Sequence, residues 1–256
     1  MRYQIGVKHE QAGRGGSASM IEDLRAGDTL TTSLPINYFP LDPATGKSLL
    51  IAGGIGITPI LAMARHLRAL HAPFRLVYCA RSADAAAFVD VLTAPEFADR
   101  TVIHYDEGDP ARALDLKARL AKYQQGAHVY CCGPRGLMQA VREASRHWPP
   151  GTVHFEDFGS GAHPGATEEA ESRVRLARSG DIVAVRPDES ILDALRRHGV
   201  DVPSSCEAGT CGSCRMTLLA RQAEHRDFVL DEDEHGSAII IICVSRAVSE
   251  ELTRDA

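Results

Sequence analysis

The sequence has no apolar run approaching about 18 residues, so it offers no membrane-spanning helix. Its N-terminus lacks a basic stretch followed by an apolar one, and no signal peptide is legible. Positive charge is not in excess: the formal net charge of −6 disfavours nucleic acid, whose phosphates need a basic surface. The eleven histidines show no H-x3-H spacing on a helical face and suggest no ligand role. Repeats at solenoid periods are missing too. Seven cysteines is an odd number, and without an export signal it points to reduced thiols or metal ligands rather than a disulfide framework. A soluble cytoplasmic protein is expected, and 256 residues suffice for two compact domains.

What is present divides into three segments. From Ser48, SLLIAGG reads as a buried strand and ITPILAMARHLRAL as a helix with Ile60, Ala64, Leu67 and His71 on one face. Strand RLVYCA, a helix over 84–92, strand TVIHYD, helix ALDLKARLAKY, strand AHVYCCG, helix PRGLMQAVREASRHW and strand TVHFEDF follow. This alternation predicts a parallel sheet covered by helices. GSGAHPGATEEAE has too little apolar content to pack and reads as a linker. Beyond it, RVRLARSG and DIVAVRPD read as strands, Asp188 as the cap of a helix burying Ile191, Leu192 and Leu195, and AIIIIC as a buried strand. A short helix against a mixed sheet is expected there. Before Ser48, YQIGVKHE and GDTLTTSLP suggest strands, with Ser19 and Glu22 as a capping box between them. Two or three strands cannot close a barrel, so this segment reads as incomplete.

The sharpest signal is PSSCEAGTCGSC. Cys206, Cys211 and Cys214 follow C-x4-C-x2-C, and Cys243 lies at the end of the apolar run AIIIIC. That is the plant-type ferredoxin spacing, in which four thiolates hold a 2Fe-2S cluster; zinc is the alternative occupant. Gly209 and Gly212 leave room for backbone N–H groups to approach the sulfurs. Cys131 and Cys132 are adjacent on a strand, so their side chains face opposite ways. Cys79 and Cys131 read as small buried apolar residues, whereas Cys132 sits at the C-terminal sheet edge where ligands bind in open α/β folds.

GGIGITPI, residues 53–60, joins the first strand of that sheet to its helix. Its glycines permit a tight turn, Thr58 can cap the helix and Pro59 suits the first turn, leaving the helix N-terminus for a pyrophosphate. It departs from G-x-G-x-x-G, and no acidic residue follows at the spacing that grips a ribose. A purely structural turn is the alternative.

In order, GGIGITPI, CARS, CCGPRGLM and HFEDF, then PSSCEAGTCGSC, HRD at 225–227 and IIICVSRA, resemble the phthalate dioxygenase reductase family, which includes vanillate demethylase reductase subunits. The resemblance runs through essentially the whole chain. It implies an α/β plus α+β architecture: a partial flavin-barrel remnant over 1–45, a ferredoxin-reductase-type NAD-binding domain over 46–158, a linker over 159–171, and a β-grasp 2Fe-2S domain over 172–256. It implies an NADH-dependent reductase that passes electrons through FMN to the cluster and on to a Rieske-type terminal oxygenase. A flavin is needed between them because a hydride carries two electrons and the cluster accepts one.

By the same resemblance, Gly53, Gly54, Gly56 and Thr58, with Pro59 beside them, line the dinucleotide and flavin contact. Cys132, Gly133 and Pro134 lie by the nicotinamide, and Glu156 and Phe158 close the flavin side. Val7 and Lys8 flank the flavin ring, while Gly15, Gly16 and Ser17 offer donors to the FMN phosphate. Arg81 is a candidate for a ribose or phosphate, and His225 a structural prop of the cysteine loop. The acidic run DEDE at 231–234 is a solvated face or a surface that steers a basic partner. The family's Arg-x-Tyr-Ser-Leu flavin motif is not found, so Met1 is expected to fall inside a domain, leaving exposed apolar faces and weak FMN binding. A 2Fe-2S carrier without flavin chemistry, and a chain without redox competence, are the other expectations.

Overall fold

The computed structural model describes residues 3–10, 15–32, 34–35, 37–158, 171–204, 207, 209–220, 223–230, 232–247 and 251–254. The expected linker lies outside the described residues except for its last position, Glu171. The chain forms two compact units, Met1–Glu156 and Asp157–Ala256.

In the first unit, α1 (Gly16–Glu22) precedes five strands: β1 (Lys47–Gly53), β2 (Phe74–Ala80), β3 (Thr101–Tyr105), β4 (Ala127–Cys132) and β5 (Val153–Glu156). They form one sheet in the order β3-β2-β1-β4-β5, parallel at every pairing. Residues buried on both faces explain the unbroken apolar runs that marked these strands: Leu50, Ile51 and Ala52 are all fully buried. Helix α2 (Ile57–Ala69) seats Ile57, Ile60, Leu61, Ala64 and Leu67 in one core with Leu50, Tyr78 and Tyr130. Each buried Ile or Leu among them contributes roughly 1.5–3 kcal/mol relative to exposure. Helices α3 (Val89–Leu92), α4 (Leu116–Leu120) and α5 (Arg135–Ala144) complete the connections.

Several helical expectations shorten, each for a local reason. His71 leaves the α2 face because its backbone turns left-handed, at φ 53°, beyond the helix end. The helix expected over 84–92 starts only at Val89, since Phe88 also adopts a left-handed conformation and the Ala87 N–H is claimed by the Tyr78 hydroxyl. Asp115 caps α4 through the Ala118 N–H, which starts that helix later than its pattern suggests. Helix α5 stops at Ala144, where the Ser145 hydroxyl donates to the Val141 carbonyl.

The N-terminal expectations fail more completely. Neither YQIGVKHE nor the described part of GDTLTTSLP is a strand, and no strand occurs among the described residues before β1. A strand needs a neighbour, and the described residues before β1 offer none. Ser19 lies inside α1 and donates to Asp23 instead of capping. Tyr3, Ile5, Leu30 and Leu34 are exposed.

The second unit has β6 (Ser172–Leu176), β7 (Ile182–Val185), α6 (Ile191–Arg197), β8 (Arg215–Ala220), β9 (Ala223–Glu224), α7 (Glu232–His235), β10 (Ile239–Ile241), β11 (Arg246–Ala247) and β12 (Glu251–Arg254). Five strands form a mixed sheet, β10-β8-β12-β6-β7, in which β12 runs parallel to β6 and antiparallel to β8. β9 and β11 make a separate ribbon. The cap of α6 is Ser190 rather than Asp188: Ser190 and Asp193 form a reciprocal capping box, and Ile191, Leu192 and Leu195 are buried.

Candidate functional sites: a sheet switch point and a cysteine loop

The order of the parallel sheet creates the first site. The chain builds outward from β1 to β3, then returns to add β4 and β5 on the other side of β1. The two connections leaving β1 and β4 therefore diverge at one point, the crevice where open α/β sheets bind ligands.

The glycines at that point divide by task. A Cβ on Gly56 would lie 2.1 Å from the Cys132 carbonyl oxygen, and one on Gly53 would lie 2.7 Å from Pro134 Cδ. A Cβ on Gly133 would lie 2.9 Å from Gly53 Cα. Gly53, Gly56 and Gly133 thus let the two turns pack against each other. Gly54, left-handed at φ 52°, has nothing within 4 Å and is the one open to an approaching ligand. Thr58 does not cap α2; its hydroxyl donates to the Ile55 carbonyl at 3.0 Å, and Gly56 occupies the cap. Pro59 sits in the first turn, and Pro134 precedes α5, where its carbonyl accepts from the Leu137 N–H.

Cys132 and Glu156 occupy one row across the strand ends, paired in register with each other and, through Cys132, with Ala52. The Cys132 thiol is buried in the α2-side core. Burial holds the Glu156 carboxyl above its ordinary range. Phe158 and Arg81 are exposed. Cys131 is fully buried and Cys79 partly so; burial raises both thiols, Cys79 to about 11, so neither is a reactive thiolate.

Gly6, which sequence reasoning passed over, brings residues 3–10 to the glycine turn: a Cβ there would lie 2.7 Å from Thr58 Cγ2 and 3.7 Å from Ile55 Cδ1. Val7 is exposed, and Lys8 pairs with Glu10 at 3.0 Å. Gly15, at φ 92°, and Gly16 open α1 with clear space around them, and the Ser17 hydroxyl accepts from the Glu10 N–H at 3.0 Å.

The second site is the cysteine loop. Cys206 lies outside the described residues. Cys211 is half-buried, and Cys214 and Cys243 are buried. Cys243 stands in the turn after β10, not on the strand itself, because the strand's pairing with β8 ends at Ile241. That turn brings it to Cys214, whose thiol it lowers to about 7 through a side-chain hydrogen bond that outweighs burial. The thiolate is the form that ligates metal. The loop keeps Glu207, Gly209 and Gly212 at left-handed φ angles of 51°, 77° and 71°. A Cβ on Gly209 would meet Val244 Cγ2 at 2.7 Å, so the loop is folded tightly against the Cys243 turn. Asp227 of the HRD element backs this wall: its Oδ1 accepts from the Val229 and Leu230 N–H groups, and the Phe228 N–H donates to the Gly209 carbonyl. Buried sulfur donors on a sharply curled, glycine-dependent loop fit a thiolate-ligated cluster. Of the acidic run, Asp231 lies outside the described residues and Glu234 pairs with Arg215 at 3.0 Å.

Residues 174–248 match the 2Fe-2S iron-sulfur cluster binding domain family, and residues 50–143 match the oxidoreductase NAD-binding domain family. The chain is 50% identical over 255 residues to phthalate dioxygenase reductase of Burkholderia cepacia, covering 99% of this chain and 79% of that protein. This chain belongs to the phthalate dioxygenase reductase family. It is likewise 49% identical to the phthalate 4,5-dioxygenase oxygenase reductase subunit of Pseudomonas putida, covering 99% of this chain and 78% of that one. A solved phthalate dioxygenase reductase, described as a modular structure for electron transfer from pyridine nucleotides to a 2Fe-2S centre, superposes with a TM-score of 0.70 at 49% identity. That match covers 98% of this chain and 78% of the solved one. The family membership makes this chain an oxidoreductase with an NAD-binding and a 2Fe-2S domain. Among the described residues no helix is long and apolar enough to cross a membrane.

Proposed function

We propose that electrons enter this chain from NADH, pass through FMN to a 2Fe-2S cluster on Cys206, Cys211, Cys214 and Cys243, and leave to a Rieske-type oxygenase or demethylase. The observation that carries this reading is the pairing of two sites in one chain of this family: a glycine-packed switch point and a curled loop of sulfur donors. FMN, when bound, would supply the conversion of a two-electron hydride donation into single-electron delivery to the cluster.

The chain's own residues then have distinct tasks. Gly54 gives the dinucleotide a backbone surface unobstructed by a Cβ, and the first turn of α2 favours its pyrophosphate. Gly53, Gly56, Gly133 and Pro134 hold that turn against the end of β4, with Thr58 and Pro59 shaping its helical side. Cys132 and Glu156, in register at the ends of β4 and β5, would lie by the nicotinamide, and desolvation biases Glu156 toward its neutral form. Phe158 offers an exposed aromatic face for a flavin ring, and Arg81 an exposed cation for a ribose or phosphate. Val7 and Lys8 would flank the ring, with Gly15, Gly16 and Ser17 donating to the FMN phosphate. The domain limits proposed are residues 1–45, 46–158 and 172–256, with a linker over 159–171. A cytoplasmic location accords with thiolate ligands kept reduced.

A second reading, a 2Fe-2S carrier without flavin-dependent NADH oxidation, is favoured by one observation: no strand among the described residues before β1 encloses a flavin. Anaerobic absorption spectra separate the two. If flavin and cluster bands both bleach on adding NADH, the first reading stands; cluster bands that respond to dithionite but not to NADH, with or without added FMN, favour the second. A colourless folded protein overturns both.

A further inference from the structure

Three side chains of the second unit that the cysteine frame does not use converge on one point. His225 Nδ1 lies 3.7 Å from Asp227 Oδ2, and His235 Nε2 lies 3.5 Å from the same oxygen. All three potential donor atoms lie within 4.8 Å of one another. His225 Nδ1 and His235 Nε2 are buried, and neither has a hydrogen-bond partner. Two orphaned buried imidazole nitrogens are costly unless something completes them.

A shared proton does not complete them, because 3.5 Å and 3.7 Å exceed the 2.7–3.2 Å span of an N–H···O bond. A shared cation does. Metal–ligand bonds of about 2.0–2.1 Å in a tetrahedron set the ligands about 3.4 Å apart, whereas an octahedron brings adjacent ligands to about 2.9 Å. The two N···O separations lie nearer the tetrahedral edge than the octahedral one, and the two imidazole nitrogens lie within 4.8 Å of each other. Asp227 is also oriented as a ligand should be: its other oxygen is held by the Val229 and Leu230 N–H groups at 3.2 and 2.8 Å, leaving Oδ2 directed at the histidines. The two rings stack 4.4 Å apart at 19°, so loading turns each about its Cβ–Cγ bond, a soft torsion. His235, whose side chain is 26% exposed, supplies the entry path.

We propose that His225, Asp227 and His235 form a mononuclear site for a borderline divalent cation of the zinc class, with water in the fourth position. The site is separate in donor chemistry from the cysteine frame. It ties the end of α7 to the segment after β9 whose Phe228 N–H holds the Gly209 carbonyl, and so braces the back of the cysteine loop.

The test uses the full chain isolated anaerobically with its cluster, equilibrated with zinc sulfate, freed of excess metal by gel filtration, and read by metal analysis and zinc K-edge absorption. One zinc per chain beyond the iron, with a first shell of nitrogen and oxygen at about 2.0–2.1 Å and no sulfur, is expected. His225→Gln and His235→Gln should each weaken zinc retention at least tenfold while leaving the iron content unchanged. Absence of retained zinc, a sulfur-containing shell, or undiminished retention in either variant overturns the proposal. Should a variant lose its iron through misfolding, the wild-type shell still decides. A chain found to lack the cluster leaves this shell equally readable, so the electron-transfer reading can fail without deciding this one.

Discussion

Gly56 packs so closely under the carbonyl of Cys132 that a single added carbon would sit 2.1 Å from its oxygen. At Gly56 the turn after β1 and the turn after β4 therefore touch backbone to backbone. That contact closes the turns at the C-terminal ends of β1 and β4, two strands already paired along their length.

Gly56→Ala should accordingly cost about 3 kcal/mol or more, because neither backbone can yield. Gly54→Ala meets only the strain of a left-handed alanine, about 1–2 kcal/mol, since its surroundings are open. Urea midpoints followed by the fluorescence of Trp148, the sole tryptophan, compare the two. In the folded Gly54→Ala protein NADH affinity should still fall, measured by titration; equal midpoints for the two variants would refute the division of tasks.

Cys214→Ser and Cys243→Ser should each abolish stoichiometric iron and labile sulfide. Gly209→Ala should lower iron retention without removing a ligand, because its φ of 77° and the Val244 methyl 2.7 Å away both oppose a Cβ. Iron and sulfide analysis of anaerobically isolated protein reads both effects. Full iron in Gly209→Ala would show that the loop's curl is dispensable.

Burial, then the neighbouring His128, hold His154 below its ordinary value of 6.5, with Asp42 opposing them. Between the folded and unfolded values the fold therefore favours neutral His154, whereas the unfolded chain binds the proton. Its contribution is present in full above about pH 6.5 and is lost as pH falls toward the folded value. Glu156, raised above 4.5 by burial, works in the opposite sense at lower pH. Denaturation midpoints at pH 7.5 and 5.5 should differ less in His154→Gln than in the wild type; an unchanged difference would remove His154 from the account.

Ser190→Ala should destabilise the second unit by about 1 kcal/mol, since it removes the acceptor for the Asp193 N–H. Asp188→Ala should have little effect, because Asp188 does not cap α6. Urea-induced loss of the cluster absorbance compares the two variants.

Much of this architecture is legible locally. The apolar runs of β1, β2 and β4 and the face of α2 follow from burial on one or both sides, and the C-x4-C-x2-C spacing follows from what one loop can wrap. Boundaries were less legible. Phe88 and His71 end or delay helices through left-handed backbones that residues other than glycine and asparagine seldom signal. Strands β9, β11 and β12 span only two to four residues and show no period of their own, and β8 was passed over although Met216 and Leu218 alternate with exposed Arg215 and Thr217. His225 and His235 showed no metal spacing, since they meet across a loop and a helical turn rather than along one face.

Composition and order along the chain by themselves determined the two-domain class, the cysteine frame and the glycine turn, because each rests on neighbours within a few bonds. Tertiary structure alone decided that Gly56 underlies Cys132, that Cys243 reaches Cys214 from a turn, and that two distant imidazoles share one carboxylate. Such meetings depend on how sheets and loops close in space, which no local pattern encodes.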